Sequence, residues 1–493
     1  MSAGLVAGAA GGAELRLDED RISLKADGER LHDVLKAFER AGVEVQIEPG
    51  IDALIHGELL EEEMDEGLKI LFGHFNYVLF WRRIEGPLGP LNKLSGMHLF
   101  RPGKQQAIVP FAPGYPNLEV VSRRGIPPHV KDEILLGMKP GTTPKQFKEL
   151  LASIGATVVN SIPAFGIYQI RLPHDTDAPA LAQALAGNPW VAVAEPNYVH
   201  QVPRPVRVAQ EGAGENPPAY ANTSADSTRE IEEPTEGAAA LAVFDSGLAE
   251  VPGLGEAVVG TYDAVDPSRT ISDPVGHGTQ MALIASGVVL PHGIPESLAG
   301  ETVRVLAVRA FDDAGRASNF SLLRGIDYAI SEGARVISMS WGTETNSEFL
   351  ESAIRYAQDQ QMIVVASAGN EPIHRPVYPA AYSGVLAISA LQADGSLWQQ
   401  SNYGSFVFAA APGTGEFPVG YEGPPGNYIG TSIASPTVAR ALTQYLTANP
   451  GASPEDAVQA LQGALTDIGD PGRDERAGYG ALDCRALEAF LKK

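Results

Sequence analysis

Apolar residues recur along this chain at two spacings, and the points where the spacing changes divide it into modules. Between residues 14 and 100, strand-like runs at 21–25, 43–47 and 77–81 alternate with two stretches, 31–42 and 64–75, whose apolar residues fall on one helical face. The pattern predicts a small two-helix α+β module. A Pro/Gly-rich connector spans 101–128. Over 129–200 the pattern reads strand (133–138), helix (143–155, with Phe147, Leu150 and Leu151), two strands (156–161 and 166–172), helix (178–187) and strand (191–194). That βαββαβ order predicts a second small module of ferredoxin-like arrangement. Residues 201–237 carry Pro, Glu, Ser, Asn and Gly without apolar periodicity and read as a linker.

From 238 to 493, unbroken apolar strands at 238–244, 303–308, 336–339, 362–367 and 385–390 alternate with helical stretches at 319–332, 347–360 and 436–448. Strands that are apolar on both faces belong to a parallel sheet covered by helices. The largest domain is therefore predicted as α/β, with its sheet between helices. Sites in such sheets collect at the carboxyl ends of the strands.

The length of 493 residues gives room for two to four domains. A formal charge of −24 lacks the basic footprint of a nucleic-acid binder, so no nucleic-acid partner is expected. No long apolar run is free of charges and breakers, so no membrane span is expected either. Cys484 is the single cysteine, which excludes an intrachain disulfide. Residues 1–13 are small or apolar without a basic start, and read as a tail or the remnant of a signal.

Three polar positions stand out in the α/β half. Asp245 follows a buried strand and precedes Ser246-Gly247. His277 lies in Gly276-His277-Gly278-Thr279, ahead of an apolar helical stretch at 281–289, and only His292 and His374 compete with it after residue 237. Ser432 lies in Gly430-Thr431-Ser432-Ile433-Ala434-Ser435-Pro436, where a helix opening at Pro436 would place it near the positive end of the dipole. Taken singly these read as a turn aspartate, a loop histidine and a capping serine.

Taken together, in the order Asp, His, Ser, the three segments closely resemble the signatures of the subtilisin-like serine peptidases. Ser338–Gly342 (SMSWG), Val364–Glu371 (VVASAGNE) and Ser401–Gly413 (SNYGSFVFAAAPG) extend the resemblance. It implies Ser432 as nucleophile, His277 as general base and Asp245 as the group that orients it. It also implies an oxyanion hole from Asn370 and the Ser432 backbone N–H. Ser340, Trp341 and Gly342 would form one wall of a substrate groove, and Gly315, Arg316 and Ala317 the other. Substrate would add between them as a β-strand, and Arg316 at the edge would either stand solvated or favour acidic residues beyond the first subsite. The segments 131–143 (KDEILLGMKPGTT) and 191–199 (VAVAEPNYV) make 129–200 similar to the inhibitor-type propeptide of that family. Such a propeptide acts as folding chaperone and temporary inhibitor, its tail lying in the active site, and implies self-cleavage near 200–213. Residues 14–100 resemble the secretin/TonB short N-terminal domain.

The expectation is a secreted zymogen, periplasmic or extracellular, of a serine endopeptidase. Its partners would be protein or peptide substrates and its own propeptide. The chemistry needs no metal or other cofactor. The loop 290–300 (LPHGIPESLAG) lacks the Asn-rich form that binds calcium in many relatives, and Gln280 stands where many have His; a structural calcium stays an open alternative. The rival is a catalytically silent protein of the same fold that docks an envelope partner.

Overall fold

The computed structural model describes residues 14–492 apart from 19–20, 42, 48–52, 74, 87–88, 102–108, 111–117, 209–233, 236, 268 and 422–424. The tail expected at 1–13, most of the linker and part of the expected cleavage region (209–213) lie outside the described residues. The chain divides into two compact units, 1–115 and 116–493.

In the first unit the two predicted helices are Leu31–Arg40 and Met64–Phe72. They share one core with two sheets, centred on Ile22, Leu35, Phe38, Leu68, Phe72 and Met97. Two long strands, Leu54–Glu63 and Gly89–Phe100, were not predicted. The first is acid-rich and buries only alternate residues such as Ile55 and Leu59. The second is interrupted by glycine and proline, which read as loop.

The second unit begins with a correction. The connector expected over 101–128 contains a strand, Val120–Arg123, paired antiparallel with Ile126–Met138. Arg124 and Gly125 (φ +80°) make the tight turn between them. Pro127 and Pro128 disguised the start of the second strand. Its sheet order is Thr157–Ile162, Ile167–Arg171, Ile126–Met138, Val191–Gln201, all antiparallel, with helices Pro144–Ser153 and Ala178–Leu185. This is the predicted ferredoxin-like arrangement.

The rest of the unit is a seven-stranded parallel sheet in the order Val258–Asp263, Arg304–Arg309, Ala240–Asp245, Val336–Met339, Ile363–Ser367, Leu386–Leu391, Val407–Pro412. Helices Asn319–Ser331 and Glu348–Asp359 pack one face of the sheet. Helices His277–Ser286 and Thr431–Ala448 pack the other. The chain leaves Ala240–Asp245 toward one edge and returns to Val336–Met339 on its other side. That reversal opens a crevice at the carboxyl ends of these two strands, where sites form in open α/β sheets.

Candidate active site

Asp245 is the last residue of its strand and is buried. Its Oδ1 accepts the Ser246 backbone N–H at 2.7 Å and lies 2.7 Å from His277 Nδ1. A proton on Nδ1 satisfies that contact and leaves Nε2 as the acceptor. Nε2 is buried without a partner among the described residues. The ring of Tyr421 meets the imidazole edge-on, with centroids 5.9 Å apart.

His277 starts its helix directly after Gly276, whose φ of +86° turns the chain in. A Cβ on Gly276 would lie 2.2 Å from Gly420 O, so no side chain fits there. Asp273, which sequence reasoning missed, holds this turn. Its Oδ1 accepts Ser246 Oγ at 2.8 Å and Gly276 N at 2.9 Å, and its Oδ2 accepts Thr279 N and Thr279 Oγ1 at 2.7 and 2.6 Å. One carboxylate thus ties the Asp245 loop to the His277 loop. The available signal was an aspartate three residues ahead of a turn glycine.

Ser432 lies in the first turn of Thr431–Ala448, not ahead of a helix opening at Pro436. Pro436 is inside the helix and has no N–H for the carbonyl four residues back, that of Ser432. Ser340 Oγ supplies the missing donor at 2.9 Å, and lies 3.0 Å from Ser435 Oγ. Ser340, expected in the groove wall, is therefore a buried brace for the helix that carries Ser432.

Asn370 follows the strand Ile363–Ser367. Its Oδ1 accepts Thr431 N at 2.9 Å and Thr431 Oγ1 at 2.8 Å, which fixes the amide orientation and turns Nδ2 away from them. Nδ2 and Ser432 Oγ are both buried without a partner among the described residues. Gly430 leaves room between them: a Cβ built there would lie 3.1 Å from Ser432 Oγ and 3.3 Å from Asn370 Nδ2. One small niche is therefore within reach of a nucleophile and an oriented donor, the geometry an oxyanion requires.

The strand Val191–Gln201 continues its own sheet into this site. It pairs antiparallel with Arg316–Ser318, in the register Val199↔Ser318, His200↔Ala317, Gln201↔Arg316. Val202 N then bonds Gly315 O at 2.8 Å. Side chains anchor it as well, among them Gln201, whose Nε2 donates to Ala314 O at 3.1 Å. Glu195 accepts Ser347 Oγ at 2.7 Å and Glu348 N at 2.6 Å, at the start of helix Glu348–Asp359. Burial pushes its pKa up, against the lowering by those bonds. Asn197 accepts Phe320 N at 3.1 Å, at the start of helix Asn319–Ser331, and donates to Glu133 at 3.0 Å. His200 Nε2 lies 2.5 Å from Asn319 Oδ1, and its ring sits 5.6 Å from that of Trp341. Burial pulls the His200 pKa down to about 4.

Asp245 and His277 are thus paired, and Asn370 and Ser432 flank one niche beside Gly430. Gly315 and Ala317 form an edge occupied by the chain itself. Arg316 Nε lies 3.5 Å from Asp312 Oδ2, so part of its charge is engaged within the domain rather than offered to acidic substrate residues. Trp341 is fully buried beneath His200 and Phe311. At Gly342 a Cβ would lie 2.5 Å from Val377 Cγ1, so this wall is set by close packing.

Comparison with known proteins places the site in a family context. The profile of the subtilase family matches residues 237–480, and that of the fervidolysin N-terminal prodomain matches 116–197. The minor extracellular protease Epr of Bacillus subtilis is 33% identical over 50% of this chain, which spans 38% of that protein. Thermitase of Thermoactinomyces vulgaris is 34% identical over 48% of this chain and 83% of its own length. The crystal structure of fervidolysin from Fervidobacterium pennivorans shares the fold, with a TM-score of 0.59 at 22% identity over 77% of this chain and 63% of that one.

Proposed function

The chain belongs to the subtilase family, and from that premise we propose that it is a serine endopeptidase made as a zymogen and exported, with Asp245, His277 and Ser432 as its catalytic residues. The observation that carries this reading is the niche beside Gly430, flanked by Ser432 Oγ and Asn370 Nδ2. Ser432 Oγ attacks a substrate carbonyl carbon while its proton passes to His277 Nε2. Asp245 holds the imidazole through Nδ1 and stabilises it when charged. The carbonyl oxygen, now negative, takes hydrogen bonds from Asn370 Nδ2 and the Ser432 backbone N–H. Collapse breaks the C–N bond, His277 returns the proton to the leaving nitrogen, and water resolves the acyl-enzyme by the same route.

Every step uses protein groups and water. In the loop where relatives hold calcium, Gln444 Nε2 donates to Ala299 O and Glu301 O, both at 2.8 Å, and Arg440 also donates to Ala299 O. Side chains from the Ser432 helix thus take up the carbonyls where that loop ends. Among the described residues no helix is long and apolar enough to cross a membrane. The segment 129–200, docked through Glu195, Asn197 and His200, acts as inhibitor and folding partner of the peptidase domain.

The test opens the zymogen with an added metalloprotease, quenches that enzyme with chelator, and applies a fluorophosphonate probe and casein. Labelling and casein hydrolysis are expected, both lost in Ser432→Ala. An opened wild-type chain that neither labels nor cuts casein would leave the silent scaffold as the reading.

A further inference from the structure

The chain does not stop at the groove edge; it crosses the site and is held again on the far side. After Val202, residues 203–205 bridge to a second pairing, Val206↔Ile429 and Arg207↔Tyr428, with Val208 N bonded to Asn427 O at 3.0 Å. Ile429 is three residues before Ser432. The crossing is therefore held at both ends, its second pairing three residues before the nucleophile, and His277 and Ser432 have no solvent exposure. Within it Val202 and Pro205 are buried while Arg204 points out.

The crossing reads Val202-Pro203-Arg204-Pro205-Val206. Every peptide bond in it has a proline on one side. In Val202–Pro203 and Arg204–Pro205 the leaving nitrogen belongs to a pyrrolidine ring, whose Cδ stands where other residues carry only hydrogen. His277 must deliver its proton to that crowded nitrogen before the C–N bond can break. In Pro203–Arg204 and Pro205–Val206 the acyl group is proline. It has no N–H to give the groove, and its φ is locked near −65° where an added strand needs about −140°. No register of this segment offers Ser432 an ordinary bond.

We propose that residues 202–206 are a cleavage-resistant strap across Ser432. In each molecule the first cut falls downstream of the strap and is made by another molecule whose groove is already open, because its own groove stays filled until then. This rests on the peptidase reading and assigns the regulation of the same site.

The experiment follows intact mass and new N-termini of the full chain over time at several protein concentrations, beside Pro205→Ala, Pro203→Ala/Pro205→Ala and Ser432→Ala. Pro205→Ala frees two bonds, 204–205 and 205–206, from proline. Wild type should show no terminus at 203–206; its first cut should lie downstream, and its rate constant should rise with concentration and with added opened enzyme. Pro205→Ala and the double variant should cut within the strap about 10²-fold faster, the size of effect that a 1 Å misplacement has on a catalysed step. Their rate constants should not depend on concentration, and Ser432→Ala in either background should abolish the cut. A wild-type terminus at 203–206, or variants that cut there no faster than wild type, overturns the strap. Fluorophosphonate labelling of the chain opened by added protease separates the two levels. Labelling with either of those results sinks the strap alone, whereas failure to label sinks the peptidase reading and the strap with it.

Discussion

The tail of the ferredoxin-like module meets the peptidase domain on both sides of Ser432, and the two contacts are built differently. Upstream, Glu195, Asn197 and His200 lock onto two helix starts and a buried tryptophan. Downstream, Val206 and Val208 are 48% and 44% exposed, and backbone pairing is joined by a side-chain bond from Arg207 to Pro425 O at 3.3 Å. The upstream contact requires particular side chains. The downstream contact accepts almost any extended chain, as β-strand addition does. After a cut, the downstream piece should depart first and the upstream piece more slowly, leaving the groove open.

The largest effect isolates the chemistry between the two contacts. Asn370→Ala removes the niche's oriented donor and should lower kcat of the opened enzyme about 10²–10³-fold, a size known from a subtilisin rather than derived from this geometry. Hydrogen exchange at Val202 N–H, which reports tail docking, should not change. A matching loss of protection would mean that Asn370 holds the fold rather than the transition state.

Next comes the upstream anchor. Asn197→Ala leaves the Phe320 N–H buried and unpaired and removes a bond to the Glu133 carboxylate. Together these cost about 3 kcal/mol, or roughly 10² in the open fraction of the tail. Exchange at Val202 in the Ser432→Ala background should accelerate by that factor, with kcat of the opened enzyme unchanged. Acceleration below about threefold would show that the helix starts do not hold the tail.

The unequal legibility of these regions has a physical cause. Asp245, His277 and Ser432 stood out, with Asn370 added by the family resemblance, because the chemistry needs fixed residue types beside glycines that permit close approach. The central strands stood out because burial on both faces makes them continuously apolar. The short strand Val120–Arg123 and the crossing at 202–208 did not. Their stability comes from pairing with a partner strand far away in sequence, and their prolines mimic loop. Ser340 shows the same limit. Its motif was visible, but its task depends on Pro436 lacking an N–H, which only the folded helix shows.

Acid should weaken the upstream contact. The tail's His200 has an ordinary pKa near 6.5 when free and about 4 when docked, so the free tail takes up the proton first. Docking is fully present above 6.5, is lost at about 1.4 kcal/mol per pH unit as pH falls, and levels off near 4. Between pH 8 and pH 5 that is roughly thirtyfold in open fraction. Asn319 and Trp341 face the ring and carry no charge. Elsewhere on the tail, Glu195 has its pKa raised when docked and works in the opposite direction, favouring docking as pH falls. In His200→Gln the acid loosening should therefore vanish or reverse in sign. Val202 exchange, corrected for its intrinsic pH dependence, reads this directly, and an unchanged slope would assign the pH response elsewhere.

The smallest effect belongs to the downstream contact. Val208→Pro removes one donated bond, Val208 N to Asn427 O, at a position that is already solvated. An exposed backbone bond of this kind is worth about 0.5–1.5 kcal/mol, so the fluorophosphonate labelling rate of the intact chain should rise less than about tenfold. Val202 exchange should stay within about twofold of wild type, because the upstream anchors do not depend on residues 206–208. If Val208→Pro instead loosened the tail as much as Asn197→Ala does, the two contacts would be one cooperative clamp. Release would then begin from the exposed side, where a second molecule can reach.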